Sequence, residues 1–78
     1  MEYIFDRITV DDELCNGQPT IRGMRITATT ILEFLLHGST EEEILAQYPV
    51  LEPDDLLACK QFALALMSKN FRIRGSAA

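Results

Sequence analysis

The chain has 78 residues, 47% of them apolar, with 12 acidic against 7 basic side chains and a formal charge of −5. That length allows one domain, which hides only about 60% of the surface its unfolded chain exposes, so a partner is expected to help stabilise it. The acidic total argues against general polyanion binding, two cysteines and one histidine are too few for a disulfide scaffold or a four-ligand zinc site, and no apolar run approaches the roughly 20 residues that cross a bilayer.

Residues 1–27 are predicted to form short strands and turns. Ile4, Ile8 and Val10 sit at even spacing among polar residues, and Asn16-Gly17 and Arg22-Gly23 are turn pairs. Thr20 to Thr27 reads as a tight hairpin, β-branched on both arms, with Gly23 near the reversal and Arg22 and Arg25 close together at the tip. From about Thr27 the period becomes helical: Ile31 pairs with Leu35, Leu32 with Leu36, and Phe34 widens the apolar face. Thr27 is the expected cap, Gly38 the left-handed exit, and His37 stands beside the carbonyl end. Ser39-Thr40-Glu41-Glu42 predicts a second helix, opened by a capping box between Ser39 and Glu42, buried through Ile44, Leu45 and Tyr48, and ended by Pro49. Val50 and Leu51 are expected to pin the next bend. Pro53 then starts the third and longest helix, residues 53–69, with Asp54 and Asp55 at its positive end. Leu56, Cys59, Ala63 and Leu66 repeat along one face, broadened by Leu57, Leu64 and Met67. Residues 70–78 lose the period, although Phe71-Arg72-Ile73-Arg74 alternates as an edge strand or a partner-binding tail would. The expected organisation is a single domain with a strand and hairpin arm (1–27), a helical module (28–69) and a tail (70–78).

Charge is unevenly spread: residues 1–27 carry −2, residues 28–60 carry −6 and residues 61–78 carry +3. The helix lengths and turns predict a mainly α fold, a three-helix helix-turn-helix bundle with a short N-terminal β region. In that fold residues 53–69 form the recognition helix, with Lys60, Gln61 and Lys69 as polar contacts, while Asp54 and Asp55 oppose phosphate. A helical bundle without DNA contact is the alternative. The residues expected to meet a partner or nucleic acid are Arg22, Arg25, Lys60, Gln61, Phe71, Arg72, Ile73 and Arg74. Guanidinium groups make bidentate contacts to carboxylate or phosphate, and in the tail Phe71 and Ile73 would anchor while Arg72 and Arg74 orient.

No catalytic residue, metal or cofactor is expected. His37 lies at a helix end without a triad or metal motif, and Cys15 has neither a CxxC nor a Cys-His partner. Cys59 recurs within a core pattern as a small hydrophobe. The runs Asp11-Asp12-Glu13 and Glu41-Glu42-Glu43 lack calcium-loop spacing and suit solvation and helix capping.

Several segments, taken in order, resemble one family. They are Arg7-Ile8-Thr9, the run Asp12 to Ile26 with its Asn16-Gly17-Gln18-Pro19-Thr20-Ile21-Arg22-Gly23 centre, Gly38 to Pro49, and Asp55-Leu56. Across residues 7–66 this combination is similar to a bacterial and archaeal family of unknown function catalogued as number 433 and regarded as antitoxin-like. Met24 stands where the family usually has threonine, and Glu52 where a Ser or Thr cap is more familiar. The resemblance implies a homeodomain-like helical fold with an N-terminal strand region, and a role as the antitoxin of a pair whose other member is a small nuclease-like protein. The favoured expectation is therefore a non-enzymatic interaction protein that neutralises a small nuclease-like toxin. The alternatives are a DNA-binding transcriptional regulator acting on operator DNA, its own included, and a structural homodimer. A homodimer is also the expected source of added stability. Without a basic leader, an apolar core and a small-residue cleavage site, the expected location is the cytoplasm, with no membrane partner.

Overall fold

The structure is a computed structural model that describes residues 1–68. Strand β1 (Glu2–Phe5) pairs antiparallel with β2 (Ile8–Val10) across the Asp6-Arg7 turn, and β3 (Thr20–Ile21) joins the other side of β2. In β1, Tyr3 faces Thr9 and Phe5 faces Ile8, so Ile4 is the extra residue of a bulge. The bulge breaks the even spacing read from the sequence: Ile8 is fully buried while Ile4 is 46% exposed. Between β2 and β3 the chain turns through Cys15–Gly17 with left-handed backbone at all three residues.

The Thr20–Thr27 hairpin forms as its turn residues direct. Arg22 and Gly23 have φ of +48° and +72°, and the Met24 amide donates to the Ile21 carbonyl at 2.8 Å, the geometry of a primed turn that matches strand twist. Thr9 and Thr20, both fully buried and opposite each other on β2 and β3, bring their hydroxyls to 2.9 Å. The Thr9 hydroxyl also accepts the Gly23 amide at 2.8 Å, which ties the turn to the middle strand.

Helix α1 (Ala28–Leu36) starts at Thr27, whose hydroxyl accepts the Thr30 amide. It ends in a Schellman motif: the Gly38 amide donates to Leu35 and the Ser39 amide to Phe34, with Gly38 at φ +95°. That motif corrects the expected second cap by one residue. The Ser39 amide already closes α1, so it cannot receive a returning carboxylate, and the capping box of α2 (Glu41–Gln47) forms between Thr40 and Glu43. Helix α3 (Pro53–Ser68) is the longest element and packs against α1, α2 and β2.

The expected three-helix helix-turn-helix bundle with a β arm is not the fold. The chain is a mixed α/β domain in which a three-stranded antiparallel sheet forms one wall of the core. Among the described residues, α1 buries only Ala28 and Ile31, and α2 only Ile44. Faces that narrow cannot close a core around α3, so Ile8 and Ile21 of the sheet, both at 0% exposure, complete it with Leu51, Leu56, Ala58, Cys59 and Phe62. Helix α3 is accordingly the central packing element. The residues expected to broaden its apolar face did not join the core, since Leu57, Leu64 and Met67 are exposed; Leu66, expected on the main face, is exposed too, as are Leu36 and Val50.

The shifted cap is directly measurable. Thr40→Ala is expected to destabilise the protein by about 1 kcal/mol and Ser39→Ala by no more than about 0.5 kcal/mol in denaturant unfolding; the reverse order would contradict the observed box.

Candidate functional site

Asp55 is the most unusual residue of the described chain, a carboxylate at 0% exposure in the first turn of α3. Two turns of the sheet converge on it. Arg7, in the β1–β2 turn at φ +64°, and Arg22, in the hairpin turn at φ +48°, both occupy the left-handed region, which costs a non-glycine residue roughly 1–2 kcal/mol. The Arg22 amide donates to the Arg7 carbonyl at 2.9 Å, so the two turns are also joined through the backbone.

Arg22 grips the carboxylate side-on, with Nε 3.0 Å from Oδ1 and Nη2 2.8 Å from Oδ2. Nη2 also reaches the Val50 carbonyl at 3.1 Å. Arg7 Nη1 lies 2.9 Å from Asp55 Oδ1 and 2.7 Å from Glu52 Oε1, and its Nη2 is 3.7 Å from Asp54. The Glu52 amide, at the start of α3, donates to Asp55 Oδ2 at 2.8 Å. Four donors therefore fill the four acceptor sites of one carboxylate. Burial, the largest single influence, pushes the Asp55 carboxyl up; Arg22, the Glu52 amide and Arg7 together more than reverse it and hold it below the ordinary carboxylate value. The hydrogen bonds from Arg7 to Glu52 and Asp55 raise that guanidinium, and Asp55 raises Arg22. A fully saturated cluster of this kind fastens sheet to helix. Asp55 itself has no unoccupied acceptor for a ligand.

The sequence-predicted contact residues are scattered by the structure. Arg22 is a partner of Asp55, not a solvent-facing tip charge, whereas Arg25 three residues later is exposed. Lys60 is exposed but pairs with Glu41 of α2, and Gln61 is exposed beside it. Phe71, Arg72, Ile73 and Arg74 lie outside the described residues, as does Lys69. Arg7 and Asp55 were missed as a pair, although one signal was present. Asp55 sits three, four and seven residues before Ala58, Cys59 and Phe62, so it continues the apolar stripe of α3, and a charge on a core stripe needs a partner.

His37 Nδ1 lies 2.7 Å from the Glu33 carbonyl oxygen, to which it donates in the tautomer protonated there. Cys59 is buried, and that burial, reinforced by Asp55, pushes its thiol up to about 11, away from the reactive thiolate. Among the described residues no three His, Cys, Asp or Glu side chains are placed to hold a metal ion, and no helix is long and apolar enough to cross a membrane.

The Asp55 cluster generates two measurable expectations. Its folded carboxyl binds a proton less readily than the unfolded one, so its stabilisation is complete above the ordinary value of 3.8 and is lost as pH falls through the lower folded value. The melting temperature should thus be level between about pH 7 and 5 and fall below about pH 4, and Asp55→Asn should remove this acid limb while costing about 3 kcal/mol at neutral pH. At Arg22, where the left-handed backbone favours glycine, Arg22→Ala should be less stable than Arg22→Gly by about 1 kcal/mol. Equal losses would mean that the turn relaxes once the ion pair is gone.

A family model described as a protein of unknown function (DUF433) matches residues 8–63, a range that takes in Arg22, Glu52 and Asp55 and begins one residue after Arg7. The crystal structure of a DUF433 member protein from Anabaena variabilis aligns with a TM-score of 0.69 at 34% sequence identity, covering 72% of this chain and 55% of that one. The chain thus spans about half the length of that relative. No curated protein matches the sequence. Since the family model covers most of the chain and one of its members shares the fold at this identity, the chain belongs to DUF433, a family of unknown function.

Proposed function

We propose that this chain is a non-enzymatic, antitoxin-like interaction protein that neutralises a small nuclease-like toxin by covering that protein's cationic, phosphate-binding surface. The observation that carries the reading is the distribution of charge after folding. The chain carries seven basic and twelve acidic side chains, a net −5, and all twelve acids but only four of the basic residues lie among the described residues. Asp55 is the only buried acid among them, so eleven carboxylates remain at the surface. Three of the four cations, Arg7, Arg22 and Lys60, are spent on the protein's own carboxylates.

A surface of that sign offers a nuclease the charge pattern of its substrate without a scissile phosphodiester. It also speaks for a protein partner over DNA: the first turn of α3 presents Glu52 and Asp54, and among the described side-chain cations Arg25 alone is outside an ion pair. Free thiols at Cys15 and Cys59 suit a reducing cytoplasm.

Co-expression with the product of the adjacent gene is the test. A complex that copurifies, with the neighbour toxic alone and harmless when bound, is the expected result. Replacing the exposed acids through Asp12→Lys, Glu13→Lys and Glu42→Lys should slow association roughly 10-fold and flatten its salt dependence. Absence of any complex at low salt, or salt-dependent binding of the free chain to its own upstream DNA instead, would overturn the reading.

A further inference from the structure

The three-stranded sheet has two edges, and the fold covers one of them. Beside β3 the returning arm of the hairpin pairs Thr27 with Thr20, and the Ile21 amide donates to the Ile26 carbonyl at 3.0 Å. On the other side the order is β1, β2, β3, so among the described residues no strand pairs with the outer side of β1. A strand in that position carries a row of backbone donors and acceptors that another chain can complete. It is held in place for the purpose: β1 runs antiparallel to β2, and Phe5 packs against Phe62 of α3 with ring centroids 5.5 Å apart. Along it Tyr3 and Ile4 are exposed apolar side chains.

The charges that guard this edge also select its occupant. Open strand edges are commonly kept from pairing by charged side chains, lysine above all. Here every guard is an acid. Glu2 lies at one end of β1 and Asp6 just past the other, both exposed, and Met1, Glu2, Val10, Asp11, Asp12 and Glu13 line an open hollow at the Glu2 end. Residues 1–13 thus hold five acids and one base, and that base, Arg7, is turned onto Glu52 and Asp55. Among the described residues Glu2, Asp6, Asp12 and Glu13 are in no ion pair, while Asp11 lies 3.9 Å from the N-terminal ammonium. Two copies joined edge to edge would set acid against acid in either direction. Parallel strands bring Glu2 and Asp6 to their own counterparts, and antiparallel strands bring them to each other. A cationic strand meets attraction at the same positions.

We infer that the open edge of β1 is a docking site for an extended cationic segment of a partner protein, which adds a fourth strand to the sheet. Main-chain hydrogen bonds to β1 supply the pairing. Apolar side chains of the segment lie beside Tyr3 and Ile4, and its lysines or arginines pair with Glu2, Asp6 and the acids of the hollow. The inference deepens the proposed function by naming where the partner is gripped, and rests on that reading for the partner's identity alone.

Calorimetric titration of the full chain with the capped peptide Lys-Val-Lys-Val-Lys-Val-Lys tests the edge without any toxin. Binding is expected at low salt, and the same peptide with its valines replaced by prolines, equal in charge but unable to form a strand, should bind at least roughly 10-fold more weakly. Glu2→Lys combined with Asp12→Lys, both exposed, should weaken binding roughly 10-fold with the far-UV circular dichroism unchanged. Ile4→Lys should do the same, whereas Glu42→Lys on α2 should leave affinity within about 2-fold. In hydrogen exchange, the outward amides of β1 should exchange fast in the free chain and slow down with peptide. Equal binding of the proline peptide, equal sensitivity to Glu42→Lys, or no binding up to about 1 mM overturns the docking site. So does protection of those amides in the free chain, which would mean that a second copy or residues 69–78 already occupy the edge. A toxin complex that forms and survives Ile4→Lys overturns this contact and spares the proposed function; a peptide that binds as expected while no toxin complex forms does the reverse.

Discussion

The structure depends on one buried carboxylate. Removing Asp55 from water carries a cost of several kcal/mol that only saturation with donors can offset, and the saturation is complete: two guanidinium groups and one backbone amide deliver four hydrogen bonds. Those donors come from three separate places in the chain, the β1–β2 turn, the hairpin turn and the start of α3. The sheet and the longest helix are therefore not free to slide past each other. An apolar contact between Ile8, Ile21 and Leu56 would tolerate small shifts in register; a carboxylate with four fixed donors would not. The left-handed backbone of Arg7 and Arg22 belongs to the same constraint, since each turn holds a residue in a costly conformation that aims a long side chain at the same atom pair.

This internal pairing shapes the outside of the molecule. Every arginine or lysine drawn into an ion pair with the protein's own acids is subtracted from what solvent or a partner meets. With Arg7 and Arg22 turned onto α3, and Lys60 onto α2, each of these cations neutralises acids of the protein's own, and the carboxylates left over carry the acidic sign of the −5 net charge. Cysteine chemistry is withdrawn in a similar way, because Cys59 lies one turn beyond Asp55 on the buried face and its thiol is suppressed by burial and by that carboxylate. Among the described residues, the acids lie at the surface apart from Asp55, and the outer side of α3 leaves Leu57, Leu64 and Met67 exposed. Membership of DUF433 is consistent with that character and names no activity.

Local chemistry was legible where a residue's role is decided by its near neighbours. Thr27 caps α1 and Gly38 ends it, because the backbone groups they serve lie within five residues. The β character of residues 1–27 and the Arg22-Gly23 reversal followed from β-branched runs and turn residues in the same manner. Where two local motifs compete for one group, the reading slipped: Ser39 looks like a helix cap, but its amide is needed by the end of α1, and Thr40 takes the role. The aliphatic pattern of α3 was ambiguous for a different reason. Its apolar residues encircle the helix, and periodicity alone cannot say which arc meets the core and which stays exposed.

By itself, the sequence determined the positions of the helices, the cap and exit of α1, the turns and the acidic balance, all of which rest on composition or on interactions within a turn or two of chain. Tertiary structure decided that the N-terminal strands are a wall of the core and not an arm, that Leu57, Leu64 and Met67 stay outside while Ile8 and Ile21 go in, and that Arg22 serves Asp55. The physical reason is distance along the chain. Asp55 is 48 residues from Arg7 and 33 from Arg22, and a carboxylate, in contrast to a turn or a cap, leaves no mark in its neighbours that says which distant cation will meet it.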